Sequence, residues 1–188
     1  MPLTQKSLDP GPAIKSSRLI IATAGALLTL VVTPPASAAG GTTATITVQG
    51  GALSITVPTD AGSLGTLIDT VGGGTVSGSL GQVQVNDARG AAAGSGWVAS
   101  VISTAFTPPS GPTIAASALG YTAGTITKTG TATYTANNPA DLTGAVPVVT
   151  ATGITGDNSA TWTPTISVAV AGGTIANVYS ATITHSVV

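Results

Sequence analysis

The chain has 188 residues, of which 43% are hydrophobic, 3% aromatic and only 6% charged, where an average soluble chain carries about 25% charge. It has no cysteine, no glutamate and one histidine, which excludes thiol nucleophiles, disulfide scaffolds, thiolate metal sites, iron–sulfur clusters and c-type haem. Five basic residues against six acidic ones leave no footprint for nucleic acid, and the length suits one ordinary domain.

Residues 1–38 read as a signal peptide. Lys6, Lys15 and Arg18 precede an apolar run at 19–32 that is 14 residues long, shorter than the roughly 20 residues a bilayer-spanning helix needs. Pro34 and Pro35 stop a helix, and Ala36-Ser37-Ala38 offers the small side chains a signal peptidase accepts, so cleavage is expected before Ala39. The remaining residues 39–188 keep Arg89 and Lys128 against five aspartates, a net charge of −3, which gives no basic patch for an anionic membrane. No cysteine follows for lipid attachment, and no sorting signal for covalent wall anchoring follows either. The expectation is a secreted chain without stable membrane insertion, retained non-covalently if at all.

From residue 39 onward, Thr, Val and Ile dominate, and β-branched side chains favour a pleated, half-buried surface. Alternation predicts strands at Ile46 and Val48, then at Leu53, Ile55 and Val57, then at Val83 and Val85. A long strand is predicted through Trp162, Pro164, Ile166, Val168 and Val170, and a final one through Tyr179, Ala181, Ile183, His185 and Val187. Gly/Pro/Asn clusters at 72–74, 90–96, 108–112, 137–139, 156–158 and 172–173 read as turns. A short helical turn is expected within 112–120. Many short alternating strands predict an all-β fold, an antiparallel β-sandwich of Greek-key, immunoglobulin-like or jelly-roll type. Trp97 and Trp162 are expected to anchor its core.

The order of motifs carries a resemblance. Leu53-Ser54-Ile55-Thr56-Val57-Pro58 is followed by Leu80 to Gly90, then Gly96-Trp97-Val98-Ala99-Ser100-Val101, and the chain closes on Thr161-Trp162-Thr163-Pro164 and Thr184-His185-Ser186-Val187. This pattern resembles the WxL-domain-like secreted proteins of Gram-positive surfaces, over nearly all of residues 39–188. The resemblance implies non-covalent attachment to peptidoglycan through two Trp-x-Leu elements. Those elements fall here at Trp97-Val98-Ala99 and His185-Ser186-Val187, with Ala99, His185 and Val187 departing from the family's residues. Expected partners are therefore peptidoglycan or another surface protein.

Chemistry-bearing constellations are sparse. A Ser–His–Asp triad would have to use His185, and no Gly-x-Ser-x-Gly elbow accompanies it. Asp87, Asp141 and Asp157 have no spacing that singles out a carboxylate pair. Asn86, Asp87, Asp157 and Asn158 are oxygen donors near turns, yet no calcium loop motif contains them. The reading is non-enzymatic, with no cofactor and no metal. Asp87 and Arg89, two apart on a strand, are expected to form a structural cluster with Trp97 or Trp162 that fixes residues 90–96. A second reading is an assembly subunit, with residues 42–50 adding as a strand to a neighbour.

Overall fold

The alternation is realised as eight strands in a computed structural model that describes residues 42–188. The expected signal peptide and its cleavage point lie outside the described residues. All the strands belong to one unit, Thr45–Val188.

Two antiparallel sheets make up the fold. The larger contains β1 (Leu53–Thr56), β3 (Val83–Ser103), β5 (Thr127–Ala136), β6 (Val146–Trp162) and β8 (Ile183–Val187). Its spine is β3, which pairs with β6 on one side, with β5 beyond it. Along the opposite edge of β3 lie β1, against residues 84–87, and β8, against residues 99–103. The smaller sheet contains β2 (Gly74–Ser79), β4 (Leu119–Thr122) and β7 (Thr165–Val170), in the order β2–β7–β4. The helical turn expected within 112–120 is a single 3₁₀ turn at Ala116–Ala118, just before β4.

Both sheets contribute to one core. The large sheet supplies Val83, Val85, Trp97, Ala99, Val101 and Ile154, and the small sheet supplies Leu119, Tyr121, Ile166 and Val168. Trp97 and Trp162 are each 2% exposed, as expected for core anchors. Burying one such ring removes about 200 Å² from water, a gross contribution of about 5 kcal/mol.

Five sequence expectations are corrected. Residues 90–96 are not a turn but lie inside β3, and residues 156–158 lie inside β6. Positive φ at Gly90 (60°) and Gly156 (71°) serves β-bulges, where the register between β3 and β6 shifts repeatedly from Asp87 to Trp97. The long strand predicted through Trp162 and Val170 is broken at Thr163-Pro164: β6 ends in one sheet and β7 begins in the other. Proline, lacking an N–H for a ladder, suits that crossing. The last run is a strand only from Ile183, with Ser180 forming an isolated bridge to Thr107. Ile46 and Val48 are in no strand and are 90% and 86% exposed.

Candidate functional site

The inward phase of β3 reads Val83, Val85, Asp87, so a carboxylate occupies a core position. Asp87 is 0% exposed, and a charge placed there needs partners. Arg89 provides two: Nε donates to Oδ1 at 2.8 Å and Nη2 to Oδ2 at 2.9 Å, the bidentate geometry that suits guanidinium and carboxylate. The Arg89 backbone N–H donates to Oδ1 at 3.2 Å, and Asn158 Nδ2 donates to Oδ2 at 3.1 Å. The Arg89 side-chain bonds hold the Asp87 pKa below its ordinary value, against the opposing effect of burial. Asn158 Oδ1 in turn accepts from Trp97 Nε1 at 3.0 Å and Tyr134 Oη at 3.1 Å. Arg89 Nη2 also donates to the Gly96 carbonyl at 3.1 Å, and Gly90 N–H donates to Asp157 Oδ1 at 2.9 Å. The expected pair thus ties the two ends of residues 90–96 together. Trp97 belongs to this cluster and Trp162 does not.

Trp162 anchors a second, neutral chain. Its Nε1 donates to Tyr121 Oη at 2.8 Å, and Tyr121 Oη lies 3.1 Å from His185 Nε2. Indole can only donate, so the tyrosine oxygen accepts from Trp162, while the direction of its bond with His185 Nε2 follows the imidazole tautomer. Burial pushes the His185 pKa down to about 4 and that of Tyr121 up to about 12. Tyr121 and His185 also meet edge to face, with ring centroids 5.7 Å apart.

His185 lines a cleft of about 860 Å³ between the sheets. Residues 57–69 form one wall and residues 174–183 another, with Val83, Val168 and Phe106 among the apolar side chains lining it. A chain segment packs tightly over β2: a Cβ on Gly78 would fall 2.5 Å from Leu64 Cα. The mouth is apolar, with Ile175 and Val178 exposed.

The two Trp-x-Leu-like elements, far apart in sequence, are neighbours in space. Ala99 lies opposite Val187 and Val101 opposite His185 on the adjoining strands β3 and β8. Trp97 and Ala99 are buried, and His185 and Val187 are half-buried. Their side chains therefore shape the sheet interior and the cleft wall rather than the outer surface.

The remaining constellations do not assemble. Asn86 and Asp157 lie on the exposed phase of their strands while Asp87 and Asn158 lie on the buried phase, so these oxygen donors face opposite sides of the sheet. Asp141 accepts from the Thr143 hydroxyl and backbone N–H, a local turn cap. Among the described residues, no three His, Asp or Glu side chains converge.

The Thr- and Ser-rich sheet faces expected from the alternation gather on the outer face of the large sheet. On β5, Thr127, Thr129, Thr131, Thr133 and Thr135 are all exposed. They lie opposite Thr161, Ser159, Thr155, Thr152 and Thr150 of β6. Gln84 and Asn86 continue two of these rows onto β3, and Thr56 and Ser54 carry them to β1. Thr184 and Ser186 are exposed on β8. The result is a broad field of hydroxyls and amides. Alternation within each strand hinted at it, but only the strand order shows that the rows coincide. Asn158 was read only as an oxygen donor near a turn, and its link to Trp97, like those of Tyr134 and Tyr121, depends on which polar group a buried indole finds, which nothing local marks. Scans against family models, curated proteins and solved structures give no match to this chain.

Proposed function

We propose that the chain is a non-enzymatic, secreted cell-surface module that associates non-covalently with the cell wall, with peptidoglycan as its partner. The observation that supports this reading is the hydroxyl and amide field on the outer face of the large sheet, where Thr and Ser on β5 and β6 stand in cross-strand register. Glycan polymers present hydroxyls and amides over long, repetitive stretches. An array of hydroxyls and amides with a single carboxylate, Asp157, on the same phase of β6 can exchange hydrogen bonds with them while desolvating little charge. Sparse charge means contact is made with little electrostatic steering, so association is expected to depend weakly on salt.

The test is sedimentation with purified cell wall, using heat-unfolded protein as the control. The native chain is expected to pellet, and failure to pellet overturns the reading. Replacing Thr127, Thr131, Thr155 and Thr161 by Val keeps the strand preference and removes four hydroxyls from the field. That variant is expected to pellet several-fold less while melting at or above the native temperature.

A further inference from the structure

Residues 45–50 read Thr-Ile-Thr-Val-Gln-Gly, a strand pattern that finds no partner strand among the described residues. Among the described residues the segment makes no strand pairing, and Ile46 and Val48 are almost wholly exposed. The cause lies in the sheet. The chain enters β1 with Gly51 N–H bonded to the Ala88 carbonyl and Gly50 against the Arg89 backbone. Continued backwards in the β1 register, residues 45–50 would run onto the bulged residues 90–95 of β3 and toward the end of β8, where Val188 and Val98 exchange backbone hydrogen bonds. The segment therefore leaves the sheet, carrying two aliphatic side chains into water, each of which would gain about 1.5 to 3 kcal/mol from full burial.

A matching vacancy exists on the same fold. Among the described residues β8 pairs only with β3, so the backbone groups of its outer edge are open to another strand. On the inward side of β8, Ile183 and His185 border the cleft, whose lining mixes aliphatic side chains with hydroxyls and the carboxylates of Asp60 and Asp69, while Thr184 and Ser186 face outward. A strand of six residues spans about 20 Å, close to the roughly 17 Å of the five-residue β8. Set on that edge, its alternation places Ile46 and Val48 toward the cleft. Thr45 and Thr47 then extend the outer hydroxyl field by one more strand. Residues 45–50 carry no charge, so the segment brings no ion of its own into a cleft whose lining includes Asp60 and Asp69 beside its apolar side chains.

We infer that residues 45–50 of one copy add as a strand to β8 of a second copy, seating Ile46 and Val48 in its cleft and linking copies head to tail. Such a contact is heterologous, so it propagates rather than closing on a two-fold axis. The inference does not depend on wall binding, and the two are tested separately.

Sedimentation velocity of the full chain is expected to show assembly that grows with concentration. Ile46→Asp combined with Val48→Asp is expected to weaken it at least about tenfold per lost aliphatic anchor with an unchanged melting temperature. Val71→Asp, an equally exposed aliphatic outside the cleft, is expected to leave assembly intact. Because the chain has no cysteine, copies carrying only Val48→Cys mixed with copies carrying only Val178→Cys are expected to form a mixed disulfide on mild oxidation. A persistent monomer overturns the inference. So does assembly that survives the Ile46/Val48 double substitution, equal disruption by Val71→Asp, or a Val48→Cys/Val178→Cys double variant that closes only within one chain. Wall sedimentation of Ile46→Asp/Val48→Asp reports on the wall reading independently.

Discussion

The core contains two tryptophans, and each indole N–H is satisfied by a different kind of chemistry. Trp97 is held through Asn158 to an ion pair, Asp87 with Arg89. Trp162 is held through Tyr121 to a neutral histidine. The first arrangement fixes its geometry with charge and a bidentate fork, and its Asp87 carboxylate keeps that charge into acid. The second has no charge to fix it and depends on one imidazole staying unprotonated. A buried donor can thus be satisfied by ions or by dipoles within one fold, and the two solutions differ in how they respond to pH and to truncation.

The strongest test of this contrast is Arg89→Ala. It leaves the fully buried Asp87 carboxylate without its guanidinium, for an expected loss of about 3 kcal/mol and a melting temperature lower by roughly 10 °C. An unchanged melt would show that the ion pair does not hold the bulged stretch of β3. Next in size is acid. The folded His185 pKa of about 4 lies below its ordinary 6.5, so between these values the unfolded chain binds a proton that the folded chain does not. Stability is therefore complete above pH 6.5, falls as pH drops toward about 4 and levels below it. The expected loss is on the order of 2 kcal/mol once partial solvent access is allowed for. Urea midpoints at several pH values measure it, and His185→Gln, which keeps an acceptor but does not titrate, is expected to flatten the slope. Asp87 contributes in the other window, losing its stabilisation only below its ordinary 3.8. The smallest effect is Trp162→Phe, which removes one donor from Tyr121 Oη and is expected to cost about 1 to 2 kcal/mol, less than Arg89→Ala by the same denaturation assay.

Much of this fold was legible in the chain itself. Period-two alternation located β1, the start of β3 and β7, and the two tryptophans were read as core from composition alone. What misled was glycine. At Gly73 and Gly173 it marks turns, whereas at Gly90, Gly94 and Gly156 the same residue marks bulges within long strands. Sequence does not separate the two, because both need positive φ and only the partner strand decides whether the chain reverses. The Asp87–Arg89 pair was legible because its members are two residues apart. Asn158, 71 residues from Asp87, and the Tyr121 link between Trp162 and His185 were not, since both depend on strand register. Ile46 and Val48 had the right pattern for a strand and no partner to make one.

One consequence of the strand order concerns how the chain could be rewired. Strands β8 and β1 run in the same direction along a single edge of β3 and touch where one ends and the other begins. Topologically they are two halves of one ribbon cut in the middle. Joining Val188 to Gly51 by a short linker would turn them into a continuous strand, and new ends opened in an exposed loop such as residues 108–112 would give a circular permutant with the same sheets.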